Sequence, residues 1–245
     1  MNLFKADLHI HTILSPCASL EMSPKVIVKT ALQKGLDIIA ITDHNSTRQC
    51  LGVTKEAENS SLKVFLGVEV NTKEEIHCLA YFENFELLNC FQEYIDQHLP
   101  DFKNNPNKFG YQIVVDENEH IIYEESKLLI TGLDQNINQI ELKVHELNGV
   151  FIPAHINKPK YSLTSQLGFI PQDLIADGYE VSNHTTKEAM RNQNKYLIGK
   201  SILQNSDAHI PEIIGSSYNI LKMEEPTFNE FKMALHNLKG REIVQ

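Results

Sequence analysis

Short apolar runs that end in histidine, aspartate or glutamate recur along this chain, and most of them lead into a segment with helical periodicity. Ile38-Ile39-Ala40-Ile41 leads into Asp43-His44, and Val64-Phe65-Leu66 leads into Glu69. Val150-Phe151-Ile152 leads into His155, and Ile202-Leu203 leads into Asp207 and His209. Runs of this length flanked by turn residues read as buried strands, and helices alternating with them imply a mostly parallel α/β sheet. In such a sheet the C-terminal strand ends share one rim, so residues distant in sequence are expected to meet there.

Seven strands are read in this way, at 6–11, 37–44, 63–70, 76–82, 149–155, 178–184 and 201–209. Between them, Ser23-Pro24 supplies a helix cap and first-turn proline, with Val26, Ile27, Thr30 and Ala31 on one face and Gly35 at the stop. Further helices are expected over 47–58, 87–98, 138–148, 186–197 and 227–238, with Gly149, Gly199 and Gly240 at their C-terminal stops. Residues 100–133 break the rhythm: a loop around Pro106 precedes two short apolar runs flanking Asp116-Glu117-Asn118-Glu119, as in a hairpin. This stretch reads as an excursion from the barrel, with a lid over the site as one role open to it, and with no linker or repeat in 245 residues the whole of 1–245 reads as one domain.

The first strand carries the sharpest chemical signal. Side chains alternate along a strand, so His9-Ile10-His11 sets two imidazoles on the same side within reach of one cation. His77 stands among strand-like apolar residues, where an imidazole needs a polar partner. Each motif has an ordinary explanation by itself: Ser206-Asp207-Ala208-His209 can be a turn or a helix cap, and Pro153-Ala154-His155 can be structural. Their occurrence together, in order and at strand ends, points to metal binding. His98, His120, His145 and His236 fall on helix or loop positions and read as surface or core residues.

The net charge of -10 supplies no electrostatic footprint for a long polyanion. Duplex nucleic acid is therefore not expected as a partner, and a small phosphorylated substrate is. The cysteines (Cys17, Cys50, Cys78, Cys90) have no paired spacing, which argues against disulfides and a cysteine-rich zinc site. No leader pattern or apolar stretch of spanning length occurs, so a cytoplasmic protein without membrane association is expected, its oligomeric state open.

The segments Ala6-Asp7-Leu8-His9-Ile10-His11-Thr12, Ile41-Thr42-Asp43-His44-Asn45, Gly67-Val68-Glu69-Val70, Pro153-Ala154-His155 and Asn205-Ser206-Asp207-Ala208-His209 resemble the successive motifs of the PHP (polymerase and histidinol phosphatase) family. That resemblance implies a distorted (β/α)₇ TIM-like barrel holding two or three divalent ions, commonly zinc, manganese or iron. It implies hydrolysis of phosphate esters by a metal-activated hydroxide. It also assigns His9, His11, His44, Glu69, His77, His155, Asp207 and His209 as metal ligands, with Glu69 bridging and Asp43 orienting ring nitrogens. Where many members carry a further Asp or His after the HxH pair, this chain has Ser15-Pro16-Cys17-Ala18-Ser19-Leu20-Glu21, leaving Cys17 or Glu21 as the substitute ligand.

Two positions near these motifs invite catalytic roles. Lys158, with Lys160, follows His155 and is placed to clamp phosphate, while His184 ends a strand and is placed to protonate a leaving group. The competing readings are an exonuclease or oligonucleotide phosphodiesterase and, from another class, a non-catalytic metal-binding partner module.

Overall fold

The structure is a computed structural model that describes residues 1–244. In chain order it runs β1 (Asn2–Ile10), α1 (Pro24–Gln33), β2 (Ile38–Ile41), α2 (Cys50–Ala57), β3 (Lys63–Asn71), β4 (His77–Phe82) and α3 (Phe85–His98). The excursion follows as α4 (Pro106–Phe109), β5 (Ile113–Val115) and β6 (Ile121–Glu124). The remainder is α5 (Ile137–Glu146), β7 (Val150–Pro153), α6 (Leu163–Leu167), β8 (Tyr179–Glu180), α7 (Lys187–Gln193), β9 (Ile202–Leu203), β10 (Asn219–Met223), α8 (Phe228–Leu235) and β11 (Glu242–Val244).

One curled sheet has the order β11-β10-β1-β2-β3-β4-β7, and β8 pairs in parallel with β9 beside it. Backbone N–H groups of His11 and Ile156 donate to the carbonyls of Ala208 and Glu180, at 3.0 and 2.9 Å. These bonds tie the β8–β9 region to β1 on one side and β7 on the other. The result is a mixed α/β fold whose sheet curls toward its own edge.

Each strand read from the sequence is present, but the sheet is not mostly parallel. The pairs β3–β4, β4–β7, β1–β10 and β10–β11 are all antiparallel. The chain between Asn71 and His77 is the reason, since a parallel return needs a crossover of roughly a dozen residues or more and this connection is far shorter. His77 therefore enters the site from the beginning of its strand while Glu69 enters from the end of its own. β10 and β11 were not read from the sequence; β10 pairs along the N-terminal half of β1, and β11 pairs with the far edge of β10.

The helix starts follow their caps: Ser23, Asn84, Asn136, Thr186 and Thr227 each accept a first-turn N–H. At the end of α5 it is Asn148, at φ 53°, that takes the left-handed conformation expected of Gly149. Gly149 is needed for space, because a Cβ there would meet Val144, Phe82 and the Tyr81 carbonyl at 2.8–2.9 Å. The β5–β6 hairpin forms as expected, yet it flanks the rim rather than covering it. Gln49 exchanges hydrogen bonds with the Val115 backbone, and Asn45 donates to the carbonyls of Leu129 and Thr131.

The way β1 faces the interior decides the site. Asp7 pairs with Ile39 and Ile10 with Ile41, so β1 carries one extra residue, a bulge that reverses the alternation. Ala6 and Leu8 accordingly pack with Phe65, Tyr81 and Ile152, whereas Ile10 packs with the outer core of Ile27, Ile41 and Val68. His9 and His11 then continue on the interior side above Leu8. His155 uses another device: alternation after Ala154 would turn it outward, and its φ of 26° re-aims it.

Candidate metal centre

Glu69 is the hub. Its Oε1 lies 3.3 Å from His9 Nε2, 3.0 Å from His77 Nδ1 and 3.2 Å from His155 Nε2. Its Oε2 lies 3.3 Å from His11 Nε2 and 3.1 Å from His44 Nδ1. Asp207 Oδ1 is 3.4 Å from both His9 Nε2 and His11 Nε2, and the His209 ring stacks on His11 at 4.0 Å between centroids. His9, His11, His44, Glu69, His77, His155, Asp207 and His209 are thus brought together. Within this cluster three sets of side chains, His9/His11/Glu69, His44/Glu69/His77 and His11/His44/His209, have donor atoms within 4.8 Å of one another.

The hydrogen bonds on the outer nitrogens dictate what the inner ones can offer. His9 Nδ1 meets the Glu180 carboxylate at 3.0 Å, and a carboxylate only accepts, so Nδ1 carries the proton. Ser15 Oγ donates to Asp43 Oδ1 and therefore accepts from His11 Nδ1, at 2.9 Å. His209 Nδ1 donates to the Asp207 carbonyl at 2.9 Å. In the neutral tautomers so fixed, the Nε2 lone pairs of His9 and His11 face each other at 3.1 Å and both face carboxylates. That arrangement is repulsive unless a cation stands among them. His44 Nδ1 and His155 Nδ1 are also buried without hydrogen-bond partners. The donor set fits divalent metal ions.

Without such ions the cluster draws protons. Burial alone would lower the His9 pKa, but Glu180, Asp207 and Glu69 outweigh it and raise it well above the usual value. Burial resists the charge on Glu69, yet His77, His9 and His44 hold its carboxyl well below the carboxylate range. His44 and His209 are lowered to about 4 and about 3, first by burial and then, for His209, by His11.

The other expected residues divide. Asp43 is buried and touches no imidazole directly; Thr12 N, Thr12 Oγ1 and Ser15 Oγ each donate to it at 2.7 Å, so it acts on His11 through Ser15. Lys158 is ion-paired with Asp207 and lines the approximately 330 Å³ cavity over the cluster, as does Lys160. His184 lies in an adjoining cavity of about 260 Å³ that shares Lys158 and Asp207 with the first. Glu21 lines a separate cavity with Leu20 and Glu119 and stands apart from the cluster. Cys17 belongs to none of the three donor sets, its residue is exposed, and partial desolvation with the Glu69 charge pushes its thiol up to about 12.

Two contributors were missed by sequence reasoning. Glu180 receives His9 Nδ1, Asn205 Nδ2 and the His155 backbone N–H, and so fixes three parts of the centre at once. Its signal was a carboxylate inside an apolar strand, overlooked because His184 closes the same run. Tyr161 stacks on His77 with ring centroids 4.8 Å apart, at a backbone φ of 57° that is rare for a bulky residue.

A sequence profile of the PHP domain matches residues 7–238, and the chain belongs to that family. It is 25% identical to the uncharacterized protein YqxK of Bacillus subtilis, over all of this chain and 65% of YqxK. The fold matches the lesion-specific endonuclease EndoQ of Pyrococcus furiosus with a TM-score of 0.72 at 23% identity, over 99% of this chain and 58% of that one. A candidate metal-dependent phosphoesterase from Bifidobacterium adolescentis matches with a TM-score of 0.56 at 20% identity, over 83% of this chain and 87% of that one. The chain thus spans less than two thirds of YqxK and EndoQ. Of these neighbours, one is an endonuclease and another a candidate metal-dependent phosphoesterase.

The expectation of a small phosphorylated partner, with duplex nucleic acid excluded, is overturned. EndoQ has been crystallised with a 27-mer duplex carrying an abasic lesion at the active site. Net charge is a poor guide here, because it averages over the whole surface, whereas the mouth of this site carries Lys158 and Lys160. Among the described residues no helix is long and apolar enough to cross a membrane.

Proposed function

We propose that this chain hydrolyses phosphodiester bonds of nucleic acid with two or three divalent ions, drawn from zinc, manganese and iron. The observation that carries the reading is the convergence of five imidazoles, those of His9, His11, His44, His77 and His155, on Glu69 beside Lys158. The duplex held by a protein of the same fold supports nucleic acid as the substrate. The sets built from His9, His11, His44, Glu69, His77 and His209 would hold the ions, with Glu69 common to two sets and His155 and Asp207 completing them. When bound, the ions supply an activated water and neutralise charge on the phosphoryl oxygens.

The chain's own groups do the rest. Glu180 holds the proton on His9 Nδ1 and Ser15 holds it on His11 Nδ1, keeping both Nε2 lone pairs inward. Lys158 shifts from Asp207 to a non-bridging phosphate oxygen, a short move within one cavity wall. His184, facing the adjoining cavity, delivers a proton to the departing oxygen. The barrel here is read as a distorted (β/α)₇ type in which β4 runs in reverse.

The test is cleavage of end-labelled DNA (single-stranded, intact duplex, and duplex with one abasic site) in Mn²⁺, Zn²⁺ or Fe²⁺. Cleavage by the wild type, lost in Glu69→Ala, is expected, and the product ladder distinguishes terminal from internal cuts. Hydrolysis confined to phosphate monoesters, with every DNA left whole, would contradict the proposal.

A further inference from the structure

The mouth of the site has two unlike sides. On one, Tyr161 lies nearly parallel to His77 (13° between rings), remains 42% exposed, and lines the cavity with Lys158, Pro159 and Lys160. On the other, beyond the shared wall of Lys158 and Asp207, the smaller cavity is lined by polar groups, among them Ser182, Asn183, His184 and Ser206. A phosphate monoester has one organic substituent to place and would leave one side unused. A diester centred at Lys158 has two.

Tyr161 is built to present a flat face. Its carbonyl accepts the His77 backbone N–H at 3.0 Å, and its left-handed φ of 57° is one of few such non-glycine positions, shared at this rim with His155 and Asp207. Backbone strain of this kind persists only where the surroundings enforce it. Here it holds an aromatic ring against an imidazole of the centre, in a cavity that Lys158 and Lys160 also line. Aromatic faces with basic neighbours are how proteins hold single bases irrespective of sequence.

We propose that Tyr161, seated on His77 in the cavity that Lys158 and Lys160 also line, is the platform on which the base of a nucleotide adjoining the scissile phosphate stacks, the polar cavity taking the opposite ester arm. This rests on the phosphodiesterase reading above. Tyr161 sets specificity and affinity and takes no part in bond breaking.

Its test pairs a protein variant with a substrate variant. An oligonucleotide substrate is made with a single abasic nucleotide at each position around the cut in turn, and KM and kcat are measured for wild type, Tyr161→Ala and Tyr161→Phe. Tyr161→Ala should raise KM about ten- to a hundredfold on the fully based substrate with kcat little changed, and Tyr161→Phe should stay within about twofold. At one position the abasic substitution should erase the difference between wild type and Tyr161→Ala. 2-Aminopurine placed there should be quenched on binding by wild type and Tyr161→Phe, and not by Tyr161→Ala. An equal loss on based and abasic substrates would show that Tyr161 merely shields His77, and no loss would show it idle; either overturns the platform while leaving the phosphodiesterase reading in place. Absence of oligonucleotide cleavage by the metal-replete wild type would overturn both.

Discussion

Asp177 and Glu69 are both ringed by imidazoles, and they differ in kind. Asp177, before β8 and near the start of β7, accepts from His145 Nε2 at 3.1 Å, His236 Nε2 at 2.9 Å and the Phe151 N–H at 2.8 Å. The other nitrogen of His145 meets Glu141 at 2.6 Å, so each of its N–H groups has an acceptor as an imidazolium. Around Glu69, by contrast, the outer nitrogens of His9, His11 and His209 are satisfied while their inner nitrogens crowd together, and His155 Nδ1 is buried with no partner. Proximity of histidine and carboxylate therefore does not mark a metal centre. A surplus of converging lone pairs with fixed tautomers does.

The comparison breaks most visibly at Glu69. Glu69→Ala removes the group common to two donor sets, and hydrolysis should fall by at least about a hundredfold in metal-replete protein. Unchanged turnover would place the chemistry elsewhere. A milder change outside the donor set is Glu180→Gln, which can no longer enforce the proton on His9 Nδ1. Metal affinity, measured by competition with a chelating dye, should weaken about 10–100-fold. Unaltered affinity would mean that His9 needs no orienting partner.

The Asp177 cluster should respond in stability alone. Asp177→Asn should cost about 1.5–3 kcal/mol by chemical denaturation, with the hydrolysis rate unchanged. Its pH dependence has a definite sign. Burial would raise the Asp177 carboxyl, but His145, the Phe151 N–H and His236 lower it below its ordinary 3.8, so its contribution is complete above 3.8 and is lost as pH falls through the lowered value. The hydrogen bond to Asp177 raises His145 above 6.5, so that contribution is complete below 6.5 and is lost as pH rises through the raised value. Wild type should therefore gain most over Asp177→Asn between these two ordinary values, and a constant difference from pH 3 to 9 would refute the network. The smallest effect is expected from Cys17→Ser, which should leave both metal content and turnover within about twofold, since Cys17 stands outside the donor sets.

Much of the centre was legible because strand ends are marked by a change from apolar to polar residues, which is how His44, Glu69, His155, Asp207 and His209 could be found. The reversed β4 could have been read from the short connection after Asn71, whereas the bulge in β1 and the left-handed backbone of His155 were not legible. They arise from tertiary pairing, and no local pattern in the sequence encodes them. Glu180 and Asp177 show the same limit from another side. Each is a lone acidic residue in an apolar neighbourhood, and only the partners brought by distant segments reveal that one orients a metal-site imidazole and the other locks a helix end.

The imidazoles around Glu69 form overlapping donor sets, an arrangement suited to more than one cation. Elemental analysis of protein purified without chelators tests it most directly. More than one equivalent of divalent transition metal per chain is predicted, and one equivalent or none would contradict it.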